Sequence, residues 1–506
     1  MTINPNSAYH KVFQESNLSD AGTFPRFIHA ARFEKFRHIP ELLIDFRYPV
    51  TILSGTNKSG KTTALLSIAC SHFEFKKRNY TNGKLERQTW SDVLKVTNHD
   101  AQVDDWTYYL DIKTGAKKEW KRGQRKVATK KWNGLGKKES QIKNVQVVYL
   151  DLDRILPARH YSPVLHHKAR AAVGVTIASQ QKQKMIEEYL SYILEEDYKL
   201  KKLADHLGRD VFGFSAEHSY SSYNSASGED VLSRILVDCV EAPKNALILI
   251  DELELGLHPK VQRRLLDVIF CISSAEHKQF IITSHSATAL SCVPDGARVF
   301  IESKNGVSTP ITPISINAAL SKMDSKDFPL VDVFCEDETA KWIIEKALAI
   351  LETRQLPSIS SKLLNVIVSG SATDTHQNFK VRSRIYDDVK VKSGHACILD
   401  GDMRGKHSFP KESGLFFLPG TEPPEKWLAR AYVAKHKSKS FSYHVGNSNV
   451  HILFSKMVEV YAGLADSRAA FEACWSEYVA TPASQSEMEE LVDFLHAQCT
   501  LYSPDL

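Results

Sequence analysis

A loop of glycine, lysine and threonine, SGTNKSGKTT at residues 54–63, dictates the first domain before anything else is read. Gly55, Gly60, Lys61 and Thr62 keep the spacing G-x-x-x-x-G-K-[ST], in which backbone N–H groups wrap phosphate oxygens. Such a loop works only between a buried strand and the N-terminus of a helix, where the free N–H groups point at the anion. The flanks comply. RFIHAARFEKFRHIPELLIDFRYPVTILSG (26–55) reads as two alternating strands, a turn and a continuous apolar strand, and TTALLSIACSHF reads as a helix. Lys61 is placed to neutralise the β and γ oxygens of a nucleotide, and Thr62 to hold Mg2+.

With 506 residues the chain is too long for one core, so two or three domains are expected. Apolar content of 42% and charged content of 25% are those of a globular protein, and a net charge of +5 excludes a globally polybasic one. Eight scattered cysteines without a C-x-x-C pair predict neither a zinc site nor a disulfide framework, and fit a reducing cytoplasm. The first twenty residues lack an apolar core, and no apolar run is long enough to span a bilayer, so neither a signal peptide nor membrane association is expected.

ATP chemistry needs a metal-side acid and a base from a second strand. ALILIDE (246–252) supplies both: Asp251 is expected in the Mg2+ shell, and Glu252 beside the attacking water. Elsewhere, residues 101–150 read as an inserted antiparallel unit with Gly- and Lys-rich turns. Residues 177–207 carry helical periodicity without a breaker, and 215–229 read as a loop. Strand–helix alternation restarts at LVDVFCEDETAKWIIEKALAIL (330–351), which marks a second α/β domain.

DELELGLHP (251–259) resembles the second nucleotide motif and following loop of ABC-type ATPases, in the branch that contains the DNA-repair ATPases. IITSHS resembles that branch's switch strand, with His285 as the residue that senses the γ-phosphate. GTNKSGKTT, with Asn57 inside the loop and Thr63 after it, is also in its style. NSASGEDVL lies where the family carries its signature motif, Ser227 and Gly228 matching the Ser-Gly core, although the leading leucine and a second glycine are missing. The resemblance implies a homodimer or higher homo-oligomer. Each ATP would be sandwiched between one loop and the Ser227-Gly228 segment of the other copy.

A second acidic constellation follows. VDVFCEDETAKW (331–342) and HACILDGDMRG (395–405) are short apolar strands ending in Glu336 and in Asp400 and Asp402. Strand C-termini gather at one edge of a parallel sheet, so these acids can converge. An all-oxygen ligand set suits Mg2+ or Mn2+, and paired ions of this kind cleave phosphodiesters. The order resembles a Toprim domain, and an ABC-type head followed by Toprim resembles the OLD (overcoming lysogenization defect) family of ATP-dependent nucleases. Its relatives include Gabija-type and retron-associated defence effectors. The resemblance implies Glu336, Asp400 and Asp402 as catalytic metal ligands, with Glu422 and Glu425 (in LPGTEPPEKWL) as further candidates. One departure matters: where the family has V-E-G-x-[ST]-D, CEDETA puts Asp337 at the glycine and Ala340 at the second acid.

KKEWKRGQRKVATKKWNGLGKK (117–138) reads either as a solvated hairpin or as a surface that tracks a phosphate backbone. On the second reading Lys117, Lys118, Lys121, Arg122, Arg125, Lys126, Lys130 and Lys131 contact phosphates, while Trp120 and Trp132 stack on unpaired bases. A smaller basic cluster, AKHKSKSF, lies at 434–441.

The expected architecture is therefore α/β throughout. An ABC-type ATPase head spans 1–327, with a β-rich basic insertion at about 76–150 and a helical segment for insertion or dimerisation at about 160–215. A Rossmann-like Toprim domain follows at 328–450, then a helical segment at 451–506. The expected function is ATP-controlled, metal-dependent DNA cleavage in phage defence, with ATP and Mg2+ (or Mn2+) as cofactors and DNA as partner. A reverse transcriptase with its small nucleic acid, or a helicase-like protein, stays open as a further partner. A DNA-binding or sensing ATPase with a silent Toprim domain stays open as the alternative.

Overall fold

The structure is a computed structural model that describes residues 3–14, 23–78, 85–97, 99, 100, 102, 104–206, 208–304, 306–324, 329–354, 363–388, 394–410, 412–437, 439–461 and 463–502. It divides into two compact units, Met1–Met323 and Asp324–Leu506. The domain boundary expected at 327/328 falls outside the described residues. Among the described residues no helix is long and apolar enough to cross a membrane.

The first unit is built on a six-stranded sheet ordered Val307–Ile311, Arg298–Lys304, Val50–Gly55, Gln279–Thr283, Leu247–Ile250 and Val147–Leu150. Every pairing is parallel except the first. Parallel strands covered on both faces must be apolar along their whole length, and Ile52, Leu53, Leu249, Ile250, Ile281 and Ile282 are all fully buried. The phosphate-loop strand Val50–Gly55 lies in the middle, between Gln279–Thr283 and Arg298–Lys304.

An antiparallel sheet of five strands packs with it: Ile39–Asp45, Arg26–Phe36, Trp106–Thr114, Lys117–Arg125 and Trp132–Gly134. Phe33, Phe36, Tyr108 and Leu110 from this sheet share one core with Leu65 and Ile68 of the helix Lys61–Cys70.

This arrangement corrects the reading of 101–150 as an inserted unit. Trp106–Thr114 pairs along its length with Arg26–Phe36, so the basic hairpin extends the N-terminal sheet. Val147–Leu150 is the edge strand of the parallel sheet. The helix expected over 177–207 is likewise shorter. Gln180–Leu194 is helical, Glu195 turns into the left-handed region at φ 64°, and Lys199–His206 pairs antiparallel with Arg209–Ser215. Lysine, leucine and alanine favour helix only until cross-strand pairing is available, and here Phe212 and Phe214 are buried on the partner strand.

The second unit carries a four-stranded parallel sheet ordered Leu364–Val368, Val331–Cys335, Gly394–Leu399 and Leu415–Phe417. The helix Glu338–Thr353 links the first strand to its outer neighbour, and Ala372–Asp388 returns the chain to the other side of that first strand. Strand order therefore reverses between Val331–Cys335 and Gly394–Leu399, and ligands of such sheets bind outside the strand ends at that reversal. The helices Pro424–His436, Lys439–Asn447, Leu453–Val460, Ser467–Val479 and Pro482–Tyr502 complete the unit.

Candidate functional site

The phosphate loop is held by close backbone approach. Gly55 has φ 141°, and a Cβ there would lie 2.1 Å from the carbonyl oxygen of Ile301. Gly60 caps the helix that starts at Lys61. The Lys61 ammonium is nearly buried and donates to the carbonyls of Gly55 (3.0 Å) and Thr56 (2.9 Å). Burial lowers its pKa, while Asp251, Glu252 and Glu254 act in the opposite direction. Thr63 is buried and accepts from Arg37 (3.3 Å), whereas Asn57 is exposed in the loop.

Asp251 follows the strand Leu247–Ile250 and sits in a cradle of hydroxyls. Its Oδ1 accepts from Thr283 (2.6 Å) and Thr62 (3.3 Å), and its Oδ2 from Tyr149 (3.4 Å). Thr62 and Asp251 thus present adjoining oxygens, the donor set that a Mg2+ ion beside a nucleotide requires. Glu252 takes φ 51°, and its N–H donates to the Thr283 hydroxyl (2.7 Å). Burial, then Asp251 and Glu254, raise the pKa of its carboxyl, which suits a base facing water. His285 is half-buried, with its N–H on Glu254 Oε1 (2.7 Å). Burial and then the charge of Lys61 lower its pKa, so the imidazole is neutral at neutral pH.

Three residues here went unread in the sequence. Arg154 is 7% exposed, and its guanidinium donates to the carbonyls of Asp151 (2.8 Å), Asp251 (2.8 Å) and Glu252. It fixes the backbone that carries both acids, while Thr283 and Tyr149 orient the Asp251 side chain. A buried arginine in a polar turn has no local signature, because the two carbonyls that matter to the site lie about a hundred positions away.

Ser227 and Gly228 open the helix Ser227–Glu241. Ser227 is exposed, and a Cβ on Gly228 would lie 2.8 Å from the carbonyl of Gly256, in the loop that follows Asp251 and Glu252. The Ala226 N–H donates to Glu229 Oε2 (3.0 Å), while Tyr198 and Tyr220 hold the other oxygen of Glu229 (2.9 Å each).

The basic hairpin separates into two classes. Lys117, Lys118, Trp120, Arg122, Lys126, Lys130 and Lys131 are exposed, and Lys121 is partly so. Two candidates are corrected. Trp132 stacks on Trp90 (4.7 Å, 7° between planes) against the core, which occupies one face of its indole. Arg125 is buried over Trp106 and bonded to Gln102. Trp120, half-exposed, keeps a free face. In the 434–441 cluster residue 438 lies outside the described residues, and Lys435 is paired with Glu477 (2.8 Å).

At the strand reversal of the second unit, acids crowd together. Glu336 follows Val331–Cys335, and Asp400 follows the neighbouring strand. The Asp400 N–H donates to Glu336 Oε1 (2.7 Å). Asp402 lies in the turn Gly401–Met403, and Glu425 in the first turn of Pro424–His436. Burial pushes the Asp400 carboxyl up to about 9, helped by Glu336, Asp337, Glu425 and Asp402. Glu336 rises to about 6 and Glu425 to about 7, burial again leading. Asp400 Oδ1 and Asp402 Oδ1 are buried without a hydrogen-bond partner, so the donor set fits a hard divalent cation. Lys406 lies 3.5 Å from Asp402. Glu422 forms a two-point ion pair with Arg430 (2.6 and 2.9 Å).

Residues 112–291 match the family model described as an AAA domain, putative AbiEii toxin, type IV toxin–antitoxin system. The match includes Ser227, Gly228, Asp251, Glu252 and His285, and begins after the phosphate loop. No curated protein matches. Among solved structures, the SMC head domain from Thermotoga maritima is 14% identical with a TM-score of 0.35, over 56% of this chain and 98% of that one. The Smc head domain from Pyrococcus furiosus, bound to the C-terminal domain of ScpA, is 10% identical (TM-score 0.36; 58% and 98%). The recombination mediator RecF with bound ATPrS is 11% identical (TM-score 0.33; 57% and 99%). The first unit is thus similar, through residues 112–291, to AAA-type ATPase domains.

Proposed function

We propose that the chain is an ATP-controlled, Mg2+- or Mn2+-dependent DNA endonuclease of the OLD type, acting as a dimer of its ATPase heads. The observation that carries this reading is the crowd of carboxylates at the strand reversal, where a buried Asp400 oxygen has no partner. Buried like charges of this kind are stable only with protons or cations among them. Divalent ions held by Glu336, Asp400, Asp402 and Glu425 would polarise a phosphate and activate a water.

In the head, Lys61 and the loop N–H groups bind phosphate oxygens, Thr62 and Asp251 hold the Mg2+ shell, and Glu252 takes the proton of the attacking water. Ser227, exposed at a helix start, and Gly228 beside it face the nucleotide of a second copy. The open face of the hairpin, with Lys118, Trp120 and Arg122, takes DNA through backbone charge and stacking. Phage defence is the setting that the OLD resemblance suggests.

The test is plasmid nicking by the full chain in Mg2+ or Mn2+, with and without ATP, beside Asp400→Ala. Nicking that disappears in the variant supports the reading. A second reading, a sensing ATPase with a silent acid site, is favoured by Ala340 standing where the family carries an acid. It predicts ATP hydrolysis without nicking in either metal.

A further inference from the structure

Asp337 stands where the family pattern has its glycine, and its surroundings show what the substitution does. Its carboxylate caps the helix Glu338–Thr353, accepting the Ala340 N–H at 2.9 Å. That bond uses Oδ1; Oδ2 faces the imidazole of His451, with Nδ1 3.9 Å away. Glu425 completes a triangle. Glu425 is only 3% exposed, and one ligand atom from each of Asp337, Glu425 and His451 lies within 4.8 Å of the other two. Asp337 and Glu425 thus bring two carboxylates, each only an acceptor when ionised, within that distance of one another. Beside them, Asp400 Oδ1 is buried without a partner, and both Asp337 and Glu425 act on the Asp400 carboxyl.

We infer that Asp337, Glu425 and His451 form a second divalent-cation position, distinct from that of Glu336, Asp400 and Asp402, and that its imidazole makes it prefer Mn2+ to Mg2+. Mg2+ takes oxygen ligands and sheds water reluctantly, whereas a first-row transition ion accepts imidazole nitrogen beside carboxylates. His451 is exposed, so the position opens to solvent and an ion can enter from bulk. Asp337 thereby supplies, from the start of the same helix, the carboxylate absent at Ala340. The inference rests on the nuclease reading only for its catalytic use; the cation position stands on its own geometry.

The test is Mn2+ binding by the full chain without nucleotide, counted from the loss of the free-ion paramagnetic resonance signal. Pulsed resonance then looks for coupling to a ligand nitrogen. The wild-type chain is expected to show nitrogen coupling, and His451→Ala to lose it while binding one of its Mn2+ ions at least about tenfold more weakly. Asp337→Asn should weaken the same ion, Asp400→Ala the other, and melting curves of each variant control for folding. Mn2+ binding that His451→Ala leaves unchanged, or wild-type protein without nitrogen coupling, overturns the inference. If that happens while Asp400→Ala still abolishes plasmid nicking, the nuclease reading survives alone. Nitrogen coupling in a protein that never nicks would keep the cation position and remove the nuclease.

Discussion

Two acid-bearing sheet edges stand in one chain, and they handle charge in opposite ways. In the first unit Asp251 is met by three hydroxyls and Lys61 lies close by, so the negative charge is balanced from within. At the edge of the second unit Asp400 is met by four other carboxyl groups, and one of its oxygens has no partner. A site that must bind and release an anionic nucleotide carries its own cation. Carboxylates crowded together without a cation of their own can stay ionised only where protons or added cations come between them.

The largest effects should come from removing one acid at each edge. Glu252→Gln is expected to lower ATP hydrolysis by about 10²- to 10⁴-fold, the usual worth of a positioned base, with nucleotide binding retained. Asp400→Ala is expected to abolish nicking while leaving hydrolysis at the wild-type rate. Measuring both activities on both variants sharpens the contrast; loss of hydrolysis in Asp400→Ala would break it.

Next comes Arg154→Met, which removes the buried guanidinium that holds the carbonyls of Asp251 and Glu252. Each charged hydrogen bond of this kind contributes roughly 1.5–3 kcal/mol. The first unit should therefore melt at lower denaturant, and hydrolysis should fall, without any change in Mn2+ binding by the second.

A smaller effect, of opposite sign in the two units, should follow pH. In metal-free protein the folded Asp400 keeps its proton up to about pH 9, whereas unfolded chain loses it near the ordinary aspartate value. Its contribution is present below about pH 4 and is lost as pH rises through 9. Glu336 and Glu425 add to this up to about 6 and 7. In the first unit His72 is fully buried and titrates near 4, so its contribution is present above about 6.5 and lost as pH falls toward 4. Hydrogen exchange of Val331–Cys335 and Val50–Gly55 across this range should show opposite trends, and added Mn2+ should flatten only the former.

The smallest effect belongs to the hairpin. If it tracks DNA, Lys118→Ala should weaken binding uniformly across sequences and reduce the salt slope by about one. An unchanged slope would return the hairpin to the role of a solvated edge.

The sequence carried the phosphate loop, the strand ending in Asp251 and Glu252, and the acids at 336, 400 and 402 because each is a local pattern: an apolar run, then a charged end. What it hid depends on distance. Trp132 looked like one more aromatic among lysines until Trp90, more than forty positions earlier, was found stacked on it. Lys199–His206 has the composition of a helix, and only pairing with Arg209–Ser215 makes it a strand. Asp337 read as a defect in a motif, and only the return of the chain through Glu425 and His451 gives it neighbours.

The strand that leads into the phosphate loop ends at Gly55, yet its neighbours on either side begin at Gln279 and Arg298. A ribosome emits roughly 5–20 residues per second, so this strand leaves the exit tunnel some tens of seconds before either flank exists. Throughout that interval a run of buried-type residues, Val50–Leu53, has no partner of its own and is a natural client for a holding chaperone. Translation stopped before residue 279 would release a chain that contains the entire glycine-lysine loop and neither of the strands that flank its own.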